Sequence, residues 1–474
     1  LHEVARRQRQ MCIRDRSMLS PIDKLKDMPF KAYLVGGCVR DMVLKREPKD
    51  FDYVVVGESP ASMIAFGAKE VGAAFPVFLF GDNESEFALA RLEKSTGPGY
   101  ADFEFVWDNV TLEQDLFRRD LTINAMALDS NGQLFDPHGG REDIRNRVIR
   151  HVSNHFVEDP LRIFRAARFA AQLNFDIAPE TMELMKEMVS LKMVDAMTKE
   201  RMTGELIKAL MSPHPRRFFE VLDETGALKD WLPVLSDMHG VPQRRKFHAE
   251  GCVWTHNMMV LDQAALATVD HPTDSKLRIR LACLFHDVGK TRTPHELLYN
   301  PDGSELGKHI GHDNPKLMDE MFGALKEVLK GLDSSVLLFA KQVAINHQSL
   351  HRLLDKDGPK GAGLVRLYER CGGRRAFEKE GYLDDLTLAC QSDHFGRMRL
   401  DEEGMVVAPG PYPEAKAFKV AMETIHGVEE GPIIGPMIKA GKGIEKAKEA
   451  LHRARLVALA QQKDRTAQDP TMGM

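Results

Sequence analysis

Two rhythms of apolar and polar positions divide the chain. Over residues 31–148, short apolar runs are broken by glycine, asparagine and charge, the spacing of strands and brief helices. The run at 32–35 predicts a strand, Gly36-Gly37 a turn, and 39–45 a helical segment. Residues 51–56, rich in valine and aromatics, predict a second strand, and 76–80, 87–91 and the alternating 101–107 predict others. From Asp159 onward apolar residues recur three and four positions apart, which predicts helices over 161–173, 180–189 and 201–211. Methionines crowd this region (Met182, Met185, Met188, Met193, Met197, Met202), as adaptable helix packing favours. Proline and glycine mark a break between Trp231 and Gln243, and a second helical block, dense in histidine, runs to about Gly396. Residues 402–413, with Gly404, Pro409, Gly410, Pro411 and Pro413, predict a loop or linker ahead of a helical, lysine-rich tail.

Composition narrows the classes. With 474 residues, 43% hydrophobic and 28% charged, the chain can bury several cores, and global disorder is excluded. A formal charge of -5 excludes a wholly basic coat but leaves room for local basic patches. Six cysteines (Cys12, Cys38, Cys252, Cys283, Cys371, Cys390) form no CxxC pair, so neither a disulfide framework nor a zinc ribbon is expected. No apolar run approaches the roughly 18–20 residues of a membrane span, so no membrane partner and a reduced, cytoplasmic setting are expected. Residues 1–17 are arginine-rich without an apolar stretch, unlike a secretory signal, and are expected not to join the fold.

Chemistry enters at Gly36-Gly37-Cys38-Val39-Arg40-Asp41, where two glycines stand between a strand and a helix start. Glycine admits a phosphate to backbone N–H groups, and the helix N-terminus favours negative charge. Asp50 and Asp52 follow at i and i+2, which puts both carboxylates on one face of a strand. Two like charges so placed call for a cation between them, and Mg²⁺ suits a site of few carboxylates and many outer ligands. Arg118 and Arg119 precede Asp120, a surface ion pair or a triphosphate clamp. Pro160 fits a first helical turn with Asp159 as its cap, and Arg162, Arg165 and Arg168 then share one helix face with no facing carboxylate row, as polyphosphate binding favours.

The set GGCVRD, KDFDYVVVG, RRDLTINAMA and EDPLRIFRAARFA, spread over residues 33–173, resembles the class II tRNA nucleotidyltransferases (CCA-adding enzymes) of the polymerase-β-type superfamily. The resemblance implies that Asp50 and Asp52 carry catalytic Mg²⁺, that Gly37, Arg40 and Arg119 contact the incoming nucleotide, and that Arg165 and Arg168 meet its triphosphate or sugar. It implies that Asp159 and Arg162 read the Watson–Crick edge of CTP or ATP in place of a template. The 3′ end of tRNA would attack the α-phosphorus, and pyrophosphate would leave.

A second constellation lies in Leu284-Phe285-His286-Asp287, with His256 upstream and His309, His312, His347, His351 and Asp393 downstream. Imidazoles and carboxylates recurring on successive helices suit a mid-row divalent metal better than calcium. The block resembles HD-type metal-dependent phosphohydrolases, of pattern H…HD…D. That implies His256, His286, Asp287 and Asp393 as ligands of a divalent transition metal such as Ni²⁺ or Mn²⁺, with a metal-activated water as nucleophile. His309, His312 and His347 would be phosphate or second-metal contacts. Gln348 stands where the family often has a second His-Asp pair, a departure that speaks against a dinuclear site.

Head, neck and HD block together resemble the bacterial multifunctional CCA proteins. Their HD domain acts as a phosphatase, 2′-nucleotidase and 2′,3′-cyclic phosphodiesterase. The fold class implied is α+β: a polymerase-β-like nucleotidyltransferase head of mixed sheet and helices, then an all-α neck/body and an all-α HD domain. The expected limits are an extension at 1–30, non-native or disordered in part, a head at 31–150, a neck/body at 151–240, an HD domain at 241–400, and a linker and helical tail at 401–474. Arg141, Arg145, Arg147, Arg150, Arg216, Arg217, Arg244, Arg245 and Lys246 are expected basic surface for the acceptor side of tRNA, with affinity falling steeply in salt. Monomer and dimer both stay open. The rival readings are a bacterial poly(A) polymerase, an enzyme adding only CC or only A, and a non-catalytic tRNA-binding protein.

Overall fold

The computed structural model describes residues 16–72, 75–81, 85–96 and 103–469. Residues 1–15 of the arginine-rich stretch, and Ala101 and Asp102 of the strand expected at 101–107, lie outside the described residues. Contacts divide the chain into two compact units, Leu1–Met197 and Thr198–Met474, so the helices expected together over 151–240 fall on both sides of the division.

The first unit is built on a mixed sheet. Its strands are β1 (Lys31–Val35), β2 (Asp52–Val56), β3 (Lys69–Val71), β4 (Val77–Phe80) and β5 (Ser85–Leu89), with β6 (Leu92–Ser95) and β7 (Phe103–Val106) paired separately, then β8 (Ala127–Leu128) and β9 (Leu134–Phe135). The sheet runs β3-β4-β5-β2-β1-β8-β9, and only β2–β5 is parallel. β1 and β2 pair so that Val35 faces Asp52, which brings the Gly36-Gly37 turn beside the acid pair. Tyr33, Val35, Val54, Leu116, Ala125 and Ala127 belong to one buried cluster under the sheet. Phe30 packs its ring against Phe80 and Phe87, so residues just ahead of 31 belong to the head core. The helix Arg16–Lys26 likewise extends the fold into the expected extension.

Helix Leu112–Phe117 starts in a capping box between Thr111 and Gln114. Helix Leu161–Leu173 ends at Asn174 in the left-handed region, where asparagine is tolerated.

In the second unit the helices Val253–Ala267, Thr273–Phe285, Pro315–Val328, Ser334–His351 and Tyr382–Phe395 pack around a shared core. Residues 279–285 of Thr273–Phe285 are all buried, as a central helix requires. The tail helices Glu414–His426, Gly431–Lys439 and Ile444–Gln468 are not loose. Arg455, buried on the last of them, pairs with Glu369 at 2.5 Å and Glu430 at 2.8 Å. No helix among the described residues is long and apolar enough to cross a membrane.

Candidate functional site

Asp52 opens β2, while Asp50 lies in a bend just ahead of the strand; both are exposed. Exposed as the residue is, partial desolvation by its neighbours raises the Asp52 carboxyl, Arg119 opposes that, and the charges of Asp50 and Glu86 raise it further. The two acids therefore feel each other although only Asp52 is on the strand. Gly36 has φ +78°, and a Cβ there would stand 3.3 Å from Arg119 Nη1 and 3.9 Å from Asp52 Oδ2. Glycine thus keeps open the space in which Arg119 approaches the acid. Gly37 begins helix Gly37–Val43, and Arg40 Nη2 lies 3.5 Å from where its Cβ would be.

The arginines are held by buried acids. Fully buried Asp115 accepts from Arg118 Nη2 at 3.0 Å and Arg119 Nη2 at 3.2 Å. Burial pushes its carboxyl up, but Arg119 and Arg118 outweigh that and hold it below the usual range. Asp120 accepts from Arg165 Nε at 2.6 Å, and its carboxyl too is held down: burial raises it, and Arg165 with Arg162 more than offsets the rise. Buried Arg40 donates to Asp41 (3.0 and 3.1 Å) and to Asn124 Oδ1 (2.7 Å). Around the ring of Phe169 stand three guanidinium groups: Arg168 at 4.2 Å, Arg40 at 4.9 Å and Arg165 at 5.6 Å.

Three expectations need correction. The arginine face does meet a carboxylate, Asp120, because the chain ahead of helix Leu161–Leu173 folds back onto it. Arg162 departs from the row: its Nη1 donates to the His155 carbonyl and its Nη2 to that of Arg118 at 3.0 Å, which fixes its plane. Asp159 accepts from the Leu161 N–H at 3.0 Å, but the cap position of the helix falls on Pro160, one residue past the acid expected to cap it. Among the basic surface residues, Arg145 pairs with Glu142, Arg150 with Asp143 and Glu180, and Arg216 with Glu220 and Asp262.

The second unit brings its histidines to one centre. One ligand atom each from His256, His286, Asp287 and Asp393 lie within 4.8 Å of one another, and so do those of Asp287, His312 and His347. Asp287 is common to both sets. Its Oδ2 faces His286 at 3.1 Å and His256 at 3.6 Å, while its Oδ1 faces His347 at 3.3 Å and His312 at 3.5 Å. Nδ1 of His286 donates to the Cys283 carbonyl at 2.6 Å, that of His312 to His309 at 2.7 Å, and that of His347 to Ala344 at 3.0 Å. Nδ1 of His256 donates to Glu250 at 3.0 Å and to the Gly396 carbonyl at 3.1 Å. Carbonyl oxygens can only accept, so Nε2 of His312 and His347 turns a lone pair inward, and that of His286 does so once its proton is given up; Nε2 of His256 instead faces Asp393 Oδ1 at 2.8 Å. Nε2 of His286, His312 and His347 and both oxygens of Asp287 are buried without a hydrogen-bond partner. Orphaned acceptors converging on one point are what a cation satisfies, so the residues fit a metal.

Without a cation in place, the acids hold a proton on His286 that a metal would displace. Burial alone would lower His286, but Asp287 and Asp393 push it up to about 10, while Asp287 and Asp393 stay well below the usual carboxylate range. Lys290, three residues past Asp287, reaches its Oδ2 at 3.0 Å. His309 does not join the centre: it donates from Nε2 to Pro242 at 2.8 Å and accepts at Nδ1 from Thr293 at 2.6 Å, so both nitrogens are used. The second set also forms without Gln348. His351 was left without a role in the sequence, yet it donates to Asp393 Oδ2 at 2.5 Å and accepts from the Tyr412 hydroxyl at 2.7 Å. Tyr412, stacked on His394 at 4.6 Å, makes the expected linker part of the site's wall. Lys290 and His351 had a sequence signal, their three- or four-residue spacing from Asp287 and His347; Tyr412 had none.

Comparison with known proteins assigns the two centres to different families, with a third match that spans the boundary between the units. The family described as "Poly A polymerase head domain" matches residues 32–150, "Probable RNA and SrmB- binding site of polymerase A" residues 174–238, and "HD domain" residues 253–371. A multifunctional CCA protein of Acidovorax ebreus (strain TPSY) is 41% identical over 447 residues, covering 93% of this chain and 98% of that one. One of Burkholderia cenocepacia (strain HI2424) is 41% identical over 437 residues, covering 90% and 98%. Among solved structures, a CCA-adding enzyme with CTP shares the fold at a TM-score of 0.59, 20% identity and 97% coverage of both chains. A tRNA-processing enzyme with CTP gives 0.54 at 21% identity, covering 92% of this chain and 99% of that one.

Proposed function

The chain belongs to the multifunctional CCA protein family, and from that premise we propose that it adds C, C and A to the 3′ end of tRNA from CTP and ATP, without a nucleic-acid template. The observation that carries this reading is the Asp50–Asp52 pair beside Arg119, with three further arginines gathered on Phe169. Asp50 and Asp52 would hold Mg²⁺, hard oxygen donors for a hard ion. When bound, that ion supplies charge neutralisation and acidifies the attacking hydroxyl. The chain's own part is positioning. Gly37 and Gly36 leave room for the polyphosphate, while Arg40, Arg119, Arg165 and Arg168 present forked donors to its oxygens. Asp115 fixes Arg119 and Asp120 fixes Arg165, while Asp41 with Asn124 fixes Arg40 and Gln172 fixes Arg168.

Asp159 and Arg162 would choose the base. Cytosine and adenine both carry an amine next to a ring-nitrogen acceptor, which a carboxylate and a guanidinium can meet. Uracil and guanine present a carbonyl and an N–H there, leaving both side chains unpaired, and such mismatches can cost about 10⁴-fold in rate. Arg162, fixed by two carbonyls, offers a rigid donor edge for this selection.

The HD site would be a phosphohydrolase, acting as phosphatase, 2′-nucleotidase and 2′,3′-cyclic phosphodiesterase with a transition metal such as Ni²⁺ or Mn²⁺. The inward Nε2 lone pairs support that class of ion. A cytoplasmic setting fits the free thiols at Cys38, Cys283, Cys371 and Cys390, all buried.

The test is extension of a tRNA lacking its CCA end with each of the four NTPs, with and without chelator. C, C and A should be added, and chelator should stop it. Addition of A alone would favour a poly(A) polymerase, addition of part of the triplet a partial adder, and unchanged activity in Asp52→Asn would remove the acid pair from the reaction.

A further inference from the structure

The ring of Phe169 receives guanidinium groups from two helices of the first unit. Phe169 sits on helix Leu161–Leu173 four residues after Arg165, the spacing that puts two side chains on one helix face, and Arg168 directly precedes it. Arg40 comes from helix Gly37–Val43. The ring is buried, and so are Arg40 and Arg168, while Arg165 is half-buried.

Each guanidinium is anchored along an edge by hydrogen bonds in its own plane. Arg40 donates to Asp41 and Asn124, Arg165 to Asp120 at 2.6 Å, and Arg168 to Gln172 at 3.2 Å. These anchors lie in different parts of the chain and leave the flat faces of the three groups open. What the three have in common is the ring, whose centre is 4.2 Å from the Arg168 guanidinium carbon, 4.9 Å from that of Arg40 and 5.6 Å from that of Arg165. Like charges gathered round one centre repel, and withdrawal from water strengthens the repulsion. An aliphatic side chain would fill the same space and leave that repulsion untouched. The negative face of an aromatic ring instead attracts each cation, and does so more strongly in a desolvated setting.

We propose that Phe169 is a positioning residue of nucleotide addition: its ring electrons hold Arg40, Arg165 and Arg168 together before the triphosphate arrives. The charge of the ring face, and not only its volume, then sets affinity for the nucleotide. This role rests on the transferase reading above and adds to it a residue that acts only through other side chains. Arg162, which would read the base, is held elsewhere, by the carbonyls of His155 and Arg118, so the choice of base does not depend on the ring.

The experiment uses the full chain with Mg²⁺ and a tRNA lacking its CCA end. Phe169 alone is replaced by phenylalanine carrying one, two or three ring fluorines. Fluorine drains the ring face of electron density in steps while scarcely altering its size. KM for CTP and for ATP should climb with each fluorine, to about tenfold at three, while kcat and the preference for CTP over UTP stay parental. Phe169→Leu, which fills the space without the ring electrons, should match the end of the series. A KM that is flat across the series overturns the proposal and makes the ring a packing group, whatever Phe169→Leu does. So does a rise in KM accompanied by UTP incorporation, because the ring would then act on the base-reading pair. If the parent adds no nucleotide, the transferase reading itself fails. The calorimetric Kd for pyrophosphate over the same series then judges the ring: binding that weakens with each fluorine supports the proposal, and a constant Kd refutes it.

Discussion

Gly289 is where the smallest covalent change should have the most selective consequence. It follows Asp287 by two residues, and a Cβ there would lie 1.8 Å from the His312 carbonyl oxygen, 2.7 Å from its carbonyl carbon and 2.9 Å from Met318 Cε. Met318 Cε ends a flexible side chain and can move; the His312 backbone cannot yield without carrying its imidazole. Restoring even a 3.0 Å contact requires a shift of about 1.2 Å (3.0 less 1.8), against a His312 Nε2 to Asp287 Oδ1 separation of 3.5 Å. Metal ligands tolerate roughly 0.2 Å, so Gly289→Ala should dislodge His312 from its set. Overpacking of this kind costs about 1–3 kcal/mol, a melting temperature lower by several degrees. A ligand displaced by about 1 Å costs on the order of 10²-fold in rate. The assay is metal-dependent hydrolysis of a small phosphate ester alongside CTP incorporation by the same preparation. Hydrolysis should fall about a hundredfold while incorporation, carried by the other unit, holds. Parental hydrolysis with parental Ni²⁺ affinity would refute the argument, and equal loss of both activities would mean the chain had simply unfolded.

Other outcomes follow from the same geometry. Asp120→Asn leaves Arg165 without its charge partner and should raise KM for both CTP and ATP about 10–100-fold with kcat less affected, read by steady-state incorporation. Tyr412→Phe frees His351 on one side and should weaken Ni²⁺ binding about tenfold by calorimetry; an unaltered affinity would put Tyr412 outside the site's support. Metal content measured on protein loaded with Ni²⁺ should approach two ions per chain, falling to one in His347→Ala, because Asp287 faces two sets. In chelator the second unit should lose stability as pH falls from about 6.5 toward 4. Burial lowers His248 to about 3 and His309 to about 4, so the unfolded chain binds protons first and each proton taken up favours unfolding. A melting temperature that rises over that interval would contradict the burial of these neutral rings.

How far the sequence could be read depended on whether the relevant partner was local. Strands β1, β2, β4 and β5 were legible because four or five residues suffice to display a buried face, whereas β8 and β9, two residues each, carry no period. Helices 161–173, 180–189 and 201–211 were found within two residues of Leu161–Leu173, Pro179–Ser190 and Lys199–Leu210. Asp50, Asp52 and the His286-Asp287 pair announced themselves by spacing. Asp120 did not, because Arg165 lies 45 positions away and only the fold brings it to 2.6 Å. Tyr412 was hidden for the opposite reason. Its Pro- and Gly-rich surroundings read as a linker, a statement about backbone freedom that says nothing of where one aromatic side chain packs.

The two centres also show why counting acids cannot locate a metal. Asp115 and Asp120 are as buried as Asp287 and Asp393, and all four are held in the charged form. What differs is the counter-charge. Around Asp115 and Asp120 it comes from guanidinium groups, which are permanent cations with no lone pair to give, so those acids are satisfied and serve only to aim arginines. Around Asp287 it comes from Lys290 on Oδ2 and from imidazoles that can surrender their protons, and once their Nδ1–H bonds to carbonyls are made, the lone pairs left over face the Asp287 carboxylate; Asp393 has Arg397 at 3.0 Å besides its imidazoles. Replacing His347 with arginine should therefore convert one kind of site into the other. His347→Arg would place a fixed cation against Asp287 Oδ1, lower metal occupancy without lowering the melting temperature of the chelated protein, and abolish hydrolysis. If instead occupancy and hydrolysis survived that charge, the imidazoles would be packing groups and the orphaned atoms would need another explanation.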